Sequence, residues 1–489
     1  MSKDKSLIII GAGIAGLSAG CYAQMNGFAS EIYEMHNAPG GLCTAWKRKG
    51  YTFDGCIHWL VGSSPTSSLY PLWEELGMIQ DKEFFCYDYF MQTIDGEGHR
   101  FITYTHPDAF EAHMMDLAGE DEKLIKQITR DMRAMMKLSV PMDPGLGDLP
   151  KLFAMLRMVD KYAMPISELS ARFKNPVLRN LFHKAFDWHD MSAFFLLWTL
   201  ALMGSGDGGY PIGGSIPLAK SLEARYLGLG GKITYDAKVD KILVENDKAV
   251  GIRLTDGTEQ RGDLVLSAAD GHTTLFDWLE ERYLTDKLRG YYKTLEPFPP
   301  LVYVSLGVNA DYSQEPISLT YPLQKPITIG GKEFKQISFE NRSFDKTLAP
   351  EGKSALCVML TADYDYWAGL KGDRGRYLAE KEQIADSVIG GLAELYPAIG
   401  SQVEVIDIAT PLTFERYTGN WRASYEGWLM TKDTMRLQMP VTLPGLKGFY
   451  MAGQWVAPGG GLPGAAQSAR STLKLLCKNE KRKFVTTKP

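Results

Sequence analysis

The chain has few cysteines, and they lie far apart. Among 489 residues there are six, Cys21, Cys43, Cys56, Cys86, Cys357 and Cys477. This spacing excludes the disulfide framework of a small secreted domain and a paired CxxC metal site. The eight histidines show no HExxH or other ligand spacing, so we expect no metal. No G-x-S-x-G motif of a nucleophilic serine is present either.

Long apolar runs are also missing. The longest, Ala193 to Met203, is far shorter than the roughly 20 residues of a membrane-spanning helix, so it predicts a buried helix or an interfacial anchor. No apolar signal-peptide core precedes Gly11, which favours a cytoplasmic protein. Basic residues are concentrated from Arg470 to the C-terminus, and such a tail is either a solvated end or a contact with an anionic membrane.

A surplus of positive charge is absent as well. The formal net charge is -5, which gives no electrostatic case for binding nucleic acid. Hydrophobic residues make up 45% and charged residues 23%, an ordinary globular composition, and the length predicts two to four domains. What the chain does have is glycine, 49 residues, so their positions become the next question.

The first glycine cluster follows a short apolar strand at the N-terminus. Leu7–Ile10 leads into Gly11-Ala-Gly13-Ile-Ala-Gly16, a helix to about Gly27, and a second strand that ends at Glu34. In this order the glycines allow a tight turn, the approach of a pyrophosphate and close helix packing, and the acid accepts ribose hydroxyls. The helix N-terminus adds unpaired N–H groups for the phosphates. The segment therefore predicts a dinucleotide site.

A second cluster distinguishes FAD from NAD. Pro39-Gly40-Gly41-Leu42-Cys43 and Gly50-Tyr-Thr-Phe53-Asp54 to Ile57-His58-Trp59 suit a cofactor that continues past the pyrophosphate. These motifs resemble the retinol saturase branch of the phytoene desaturase family. That family has a threonine-glycine pair where this chain has Gly55-Cys56, which leaves a reactive or a simply packed Cys56 open.

The third cluster lies near the C-terminus. Gly453-Gln454-Trp455 and Gly459-Gly-Gly461-Leu462-Pro463-Gly464-Ala465 precede a helix that contains Gln467-Ser-Ala-Arg470. The stretch resembles the C-terminal signature of bacterial-type phytoene desaturases, and its helix N-terminus is suited to the pyrimidine edge of a flavin. By contrast, the glycine-rich segment 204–209 lacks a preceding strand and ribose acid, so we expect no second dinucleotide site.

The resemblance implies an α/β fold: a glutathione reductase-like, Rossmann-type FAD-binding domain with an interleaved substrate domain of mixed β-sheet plus a helical lid. We expect the FAD domain at 1–68, 212–295 and 436–478, the substrate domain at 69–211 and 296–435 with its lid at about 105–205, and a basic tail at 479–489. The candidate FAD-binding residues are Gly11, Gly13, Ile14, Ala15, Gly16, Glu34, Met35, Gly40, Gly41, Leu42, His58, Val239, Ala268, Gly453, Gln454, Leu462, Pro463 and Ala465.

The implied function is an FAD-dependent oxidoreductase that desaturates or saturates carbon–carbon bonds of an apolar isoprenoid or polyene by hydride exchange with flavin N5. His58 is the candidate catalytic residue, as a proton donor or acceptor or else a structural histidine, and His183, Trp188 and His189 are candidates for the substrate pocket. The alternatives are a redox-neutral double-bond isomerase, an amine oxidase and an FAD-stabilised lipid-binding or partner protein. The electron donor or acceptor stays open among a transient nicotinamide, a quinone, oxygen and a protein.

Methionines recur between Thr105 and Met203. They include Met114, Met115, Met132, Met135, Met136, Met155 and Met158. The pattern favours core packing, with a flexible thioether wall around an apolar substrate as the alternative.

Overall fold

The computed structural model describes residues 5–139, 141–143, 145–184, 191–431, 433–434, 437 and 439–489. Its strands are β1 Ser6–Ile10, β2 Ala29–Tyr33, β3 Ala45–Arg48, β4 Tyr51–Asp54, β5 Phe84–Phe85, β6 Tyr89–Ile94, β7 Arg100–Tyr104, β8 Tyr210–Pro211, β9 Lys232–Thr234, β10 Val239–Glu245, β11 Lys248–Leu254, β12 Glu259–Arg261, β13 Leu264–Ser267, β14 Leu301–Val308, β15 Ser318–Ile329, β16 Lys332–Asn341, β17 Ser354–Thr361, β18 Val403–Ala409 and β19 Phe449–Met451.

The α-helices are α1 Ile14–Met25, α2 Tyr70–Glu75, α3 Pro107–Leu117, α4 Glu122–Met135, α5 Leu149–Tyr162, α6 Ile166–Ser170, α7 Pro176–His183, α8 Ala193–Gly204, α9 Ser215–Gly228, α10 Asp286–Thr294, α11 Tyr364–Ala368, α12 Arg374–Ala393, α13 Ile399–Gln402, α14 Pro411–Thr418 and α15 Gly461–Asn479. Short 3-10 segments cover Gly119–Asp121, Leu146–Asp148 and Trp421–Ala423, and a π-helical segment covers Thr273–Trp278.

A five-stranded sheet joins the two ends of the chain. Its order is β19-β13-β1-β2-β9, and all its neighbouring strands are parallel. The central strand β1 is apolar and buried, as expected for a sheet covered on both faces. Helix α1 packs closely against α9. A Cβ at Gly20 would lie only 2.6 Å from the Tyr226 ring, so the close approach depends on the glycine. The predicted Rossmann-type domain is confirmed.

A second, mixed sheet of seven strands has the order β18-β14-β17-β16-β15-β6-β7. Its neighbours are antiparallel except β15 and β6, which run parallel. Strand β14 is buried along its whole length, with the apolar side chains of α12 packed against this sheet. The β3–β4 hairpin also packs against this sheet. A Cβ at Gly307 of β14 would lie only 2.7 Å from the Tyr51 ring of β4. The predicted mixed sheet is confirmed, and it packs against the β3–β4 hairpin, which follows Gly40 and Gly41 in the chain.

Helices α3, α4, α6, α7 and α8 share a separate apolar core, to which β7 contributes Phe101. Met114, Met132 and Met135 are buried in it, so these methionines pack the core. The apolar run at 193–203 forms α8, which is largely buried. Within the described ranges, no helix is both long and apolar enough to cross a membrane.

The basic C-terminal segment folds back onto the body of the protein. Arg482 Nη1 donates to the carbonyl oxygens of Asn26 and Gly27 at 2.9 and 2.6 Å. Lys488 pairs with Glu74 at 2.6 Å, and Arg470 pairs with Glu75 at 3.2 Å. These contacts commit much of the tail's charge to the protein itself. The division of the chain at 68/69, 211/212, 295/296 and 435/436 stays a prediction.

Candidate flavin and substrate cavity

A cavity of about 1310 Å³ lies between the parallel sheet, the mixed sheet and the helices of the lid. One wall is formed at the carboxyl ends of the parallel strands, where Gly11 follows β1, Glu34 follows β2 and Ala268 follows β13. In open α/β sheets this edge is where ligands bind. Typical ligand pockets have roughly 300–1,000 Å³, so this one has room for a large cofactor and a second molecule.

The turn between β1 and α1 needs its glycines for different reasons. Gly11 has a φ of 95°, a conformation that glycine adopts readily. A Cβ at Gly16 would lie 1.9 Å from the carbonyl oxygen of Gly11, so this glycine lets α1 pack on the turn. A Cβ at Gly13 would meet no protein atom closer than 3.9 Å, and Gly13 lines the cavity. The absence of a side chain at Gly13 therefore leaves space in the cavity and is not required for packing within the protein.

Glu34 is buried beneath this turn. Its carboxylate accepts hydrogen bonds from the Ala12 N–H at 2.6 Å and from the His36 N–H at 2.9 Å. Both bonds hold the carboxylate at the cavity wall, where it is suited to accept hydroxyl groups of a ribose.

The second and third glycine segments close the same wall. Gly40 forms a parallel bridge with Gly13, and a Cβ at Gly41 would lie 3.2 Å from the Gly13 Cα. Gly459, Gly460 and Gly461 all have positive φ values, of 96°, 58° and 69°. This unusual turn starts α15, and the positive end of the helix dipole faces the cavity. The first turn of α15 holds no acidic residue, but Glu426 Oε1 lies beside it, 3.8 Å from the position of a Cβ at Gly461.

The structure brings almost all the predicted FAD-binding residues to one cavity. Those that line it are Gly11, Gly13, Ile14, Ala15, Glu34, Met35, Gly40, Gly41, Leu42, His58, Val239, Ala268, Gly453, Gln454, Leu462, Pro463 and Ala465. Gly16 does not line it, because it faces the backbone of Gly11. Residues separated by more than 400 positions in the sequence thus share one surface.

The opposite part of the cavity is mostly apolar. Helix α8 contributes Phe194, Phe195, Trp198 and Leu202, which lie on one face at helical spacing and are only half-buried. The Phe194 and Trp198 rings stack at 5.8 Å. Further apolar contributions come from Met191, Leu301, Phe298, Met359, Leu412 and Met430. The sequence predicted α8 as a buried helix but not its cavity face, since an all-apolar helix shows no amphipathic period.

His58 lies at a junction between this cavity and a smaller one of about 50 Å³. Its Nδ1 is 3.0 Å from Glu340 Oε1 and 3.3 Å from Arg342 Nη2, and Arg342 donates to Glu340 at 3.1 Å. Burial would raise the pKa of Glu340, but His58 and Arg342 outweigh it and lower that pKa to about 2. Because an ionised carboxylate only accepts hydrogen bonds, the shorter contact places a hydrogen on Nδ1.

Arg342 also contacts Asp54 at the end of β4. Its Nη1 donates to the Asp54 carbonyl oxygen at 3.3 Å, and its Nη1 lies 3.7 Å from the Asp54 carboxylate. Asp54 in turn accepts from the Ile57 N–H and from the Ser215 hydroxyl, at 3.0 and 2.7 Å. Strand β16, the hairpin and the start of α9 together fix the loop that carries His58.

The remaining residues that the sequence indicated as candidates differ in whether they line the cavity. Cys56 lines the cavity, but a hydrogen bond that it donates to Cys43, together with burial, raises the pKa of its thiol well above the usual value, so it stays protonated. His183 is exposed at the end of α7 and does not line the cavity. Trp188 and His189 lie outside the described residues.

Two carboxyl groups of the cavity wall were not predicted. Asp270 is buried after β13, accepts from the Thr273 and Trp421 N–H groups at 2.7 and 2.9 Å, and has a pKa that burial raises to about 6. Glu426 lies in the segment between α14 and β19, and burial raises its pKa to about 7. Both occur in loops, where no periodic pattern indicates which way a side chain points.

Comparison with known proteins agrees with this geometry. The family model described as flavin containing amine oxidoreductase matches residues 14–472. The chain belongs to this family. Prolycopene isomerase from Daucus carota is 25% identical, with 96% of this chain and 79% of the relative covered. The neurosporene-forming phytoene desaturase of Cereibacter sphaeroides is 26% identical, with 96% and 94% covered.

Among solved structures, a redesigned putrescine oxidase matches with a TM-score of 0.62 at 13% identity, covering 97% of this chain and 99% of that chain. This likeness supports the fold. Family membership and these relatives confirm the predicted resemblance to phytoene desaturases, FAD as the cofactor, and an FAD-dependent oxidoreductase. The residues that line the cavity fit that cofactor: an open position at Gly13, a carboxylate at Glu34 and a helix N-terminus at Gly461.

Proposed function

We propose that this flavoprotein forms, removes or moves carbon–carbon double bonds in a long apolar polyene. The observation that carries the proposal is the cavity itself: one wall is the glycine-lined edge of the parallel sheet, and the other is aromatic and aliphatic. An extended hydrocarbon would lose contact with water along the α8 face, where the hydrophobic effect supplies the binding energy.

In this proposal Gly13 and the α1 N-terminus hold the pyrophosphate of FAD, Glu34 holds the ribose, and Val239 holds the adenine through its backbone. The Gly461 end of α15 faces the isoalloxazine. FAD supplies the exchange of two electrons as hydride. The protein's part is to align a substrate carbon, exclude water and handle the accompanying proton.

We infer that His58 is a polar group beside the isoalloxazine. Its loop is held by Asp54, and its ring is oriented through Nδ1 by Glu340, which is supported by the 3.0 Å contact. A histidine fixed in this way presents its other ring nitrogen in a defined direction. Replacing His58 with alanine tests the role: unchanged turnover with FAD bound would leave His58 a structural residue.

The proposed function is tested by anaerobic mixing of the oxidised holoenzyme with phytoene in micelles. A desaturase bleaches the flavin absorbance and forms a more conjugated product. A protein that binds phytoene or a cis-polyene but changes neither the flavin absorbance nor the polyene, whether the flavin is oxidised or reduced, contradicts catalysis. The variant Trp198→Ala should bind phytoene at least about tenfold more weakly and retain FAD, because the stacked pair with Phe194 is lost.

An isomerase is the second candidate, supported by the full-length similarity to prolycopene isomerase. In that case the reduced holoenzyme converts a cis-polyene without a net change in the redox state of the flavin. Product analysis by chromatography distinguishes the two reactions. An amine oxidase would instead bleach with an alkylamine. The electron donor or acceptor is identified by which of oxygen, a quinone or a nicotinamide restores the starting redox state.

We also infer that α5 places the protein on a membrane. Leu146, Leu149, Phe153 and Leu156 lie on one face and are 88%, 43%, 63% and 47% exposed. Arg157 beside them is exposed and suited to an anionic headgroup. Helix α5 packs against α8, which also lines the cavity, so the stripe is close to the route of an apolar substrate.

Vesicle sedimentation tests this surface. Phe153→Asp should lower binding to phosphatidylglycerol vesicles at least about tenfold, because a charge replaces an apolar side chain that would enter the interface. Leu378→Asp is the control, since Leu378 is 43% exposed on α12. Equal loss in both variants, or no loss in Phe153→Asp, contradicts membrane contact through α5.

A further inference from the structure

Glu426 stands out among the carboxyl groups that line the cavity, because the others have hydrogen-bond or ion-pair partners. Within the described ranges, no hydrogen bond or ion pair engages its carboxyl group, and desolvation alone raises its pKa to about 7. The other cavity glutamates are engaged: Glu34 accepts two backbone N–H groups, and Glu415 pairs with Lys371 at 2.8 Å. Glu426 is half-buried at the cavity wall, and a carboxyl group that is partly removed from water without a partner costs stability, so its retention requires a reason.

The backbone that carries Glu426 is held rigidly. The neighbouring Gly427 carbonyl oxygen accepts from the Phe298 N–H at 2.8 Å and from the Ser424 hydroxyl at 3.0 Å. A Cβ at Gly460 would lie 2.5 Å from the Glu426 Cβ, so the glycine turn before α15 packs directly against this residue. Glu426 is thereby fixed between the predicted flavin-facing turn and the mixed sheet.

Among the described residues no charged side chain pairs with the carboxyl group, and its Oε1 lies at the start of α15, 3.8 Å from the position of a Cβ at Gly461. Tyr425, on the same segment, has a pKa raised by burial and by the Glu426 charge, so its hydroxyl is neutral. Cys56 approaches from the His58 loop and is neutral as well. The turn before α15 brings backbone N–H groups and no titratable side chain. A carboxyl group in this setting can exist in either protonation state near neutral pH, as an acid–base residue requires.

We propose that Glu426 is the acid–base residue of this site, exchanging a proton with the substrate carbon next to the one that exchanges hydride. This inference rests on the proposed function. In desaturation, one C–H bond breaks and its electron pair leaves as hydride, which FAD accepts. At the adjacent carbon, the C–H electron pair becomes the second bond of the new double bond, and the proton forms an O–H bond on Glu426. In saturation the protonated carboxyl group returns that proton.

The experiment compares wild-type holoenzyme with Glu426→Gln and, as a matched control, Glu415→Gln from the same cavity. Infrared difference spectra across pH should contain a carboxyl group that titrates near pH 7 in wild type and Glu415→Gln but not in Glu426→Gln. Anaerobic bleaching by phytoene should be at least about a hundredfold slower in Glu426→Gln, with the pH inflection lost and phytoene affinity retained.

Two outcomes overturn the inference alone: Glu426→Gln bleaching at the wild-type rate and pH profile, or a defect confined to binding. A defect confined to binding is also shown if hexylamine binds to the wild type but not to Glu426→Gln. The carboxylate would then be the counter-ion of an ammonium group. If the wild type neither changes the flavin absorbance with phytoene nor isomerises a cis-polyene, the proposed function is overturned and this inference with it.

Discussion

Gly13 provides the sharpest test of how the first glycine turn works. Its backbone, with φ of -71° and ψ of 178°, suits any residue, and an added Cβ would meet no protein atom within 3.9 Å. Gly13→Ala should therefore leave the fold intact or stabilise it by about 0.4–1 kcal/mol through the unfolded chain. The melting temperature of the protein without FAD should change by no more than about 2–4 °C.

The effect on FAD should be large. The new methyl group projects into the space that a phosphate needs to reach the α1 N-terminus. Losing one charge-assisted hydrogen bond costs about 1.5–3 kcal/mol, which corresponds to about 10- to 150-fold in Kd. Fluorescence titration of apoprotein with FAD measures this ratio.

Gly16→Ala is the matched comparison. Its Cβ would lie 1.9 Å from the Gly11 carbonyl oxygen, so α1 must shift from the turn, at about 1–3 kcal/mol of stability. The reasoning is refuted if Gly13→Ala binds FAD as tightly as wild type, or if it lowers the melting temperature as much as Gly16→Ala does.

Two further predictions concern charged groups. Glu340 has a folded pKa of about 2, below its value of about 4.3 in the unfolded chain, so it stabilises the fold above that pH and loses the contribution as pH falls toward 2. Glu340→Gln should lower the free energy of unfolding at pH 7 by about 3 kcal/mol, because Arg342 then keeps a buried charge without this partner. Urea denaturation at a series of acid pH values should also show a weaker loss of stability with falling pH in this variant. An unchanged pH dependence contradicts the pairing. Arg482→Ala should cost about 1–2 kcal/mol in thermal unfolding, because the bonds to Asn26 and Gly27 at the end of α1 are lost, while vesicle binding stays at the wild-type level. A loss of vesicle binding would instead assign the tail to the membrane.

The local signals of the sequence were sufficient for the cofactor wall. Strand β2 occupies the predicted residues 29–33, and α1 and α15 lie where the glycine clusters indicated. These assignments succeeded because a pyrophosphate constrains backbone, and only glycine satisfies positive φ or close approach at such positions. His58 was also identified, because it follows the second glycine cluster within the same motif.

The substrate side depends on contacts between distant segments. Phe194 and Trp198 looked like core residues because every face of α8 is apolar, and only the position of the helix decides which face meets the cavity. Glu340 lies near the end of β16 and Arg342 directly follows the strand. No sequence pattern pairs them with His58, which lies 282 positions from Glu340.

The sequence by itself thus determined the cofactor, the fold class and the family resemblance, because each of these depends on short motifs whose backbone requirements are local. Only the tertiary structure decided which apolar side chains face the cavity, how His58 is oriented, and that Glu426 lies at the cavity wall with no hydrogen-bond or ion-pair partner among the described residues. Burial and pairing are properties of the packed chain, since they depend on which distant segments exclude water from a given side chain.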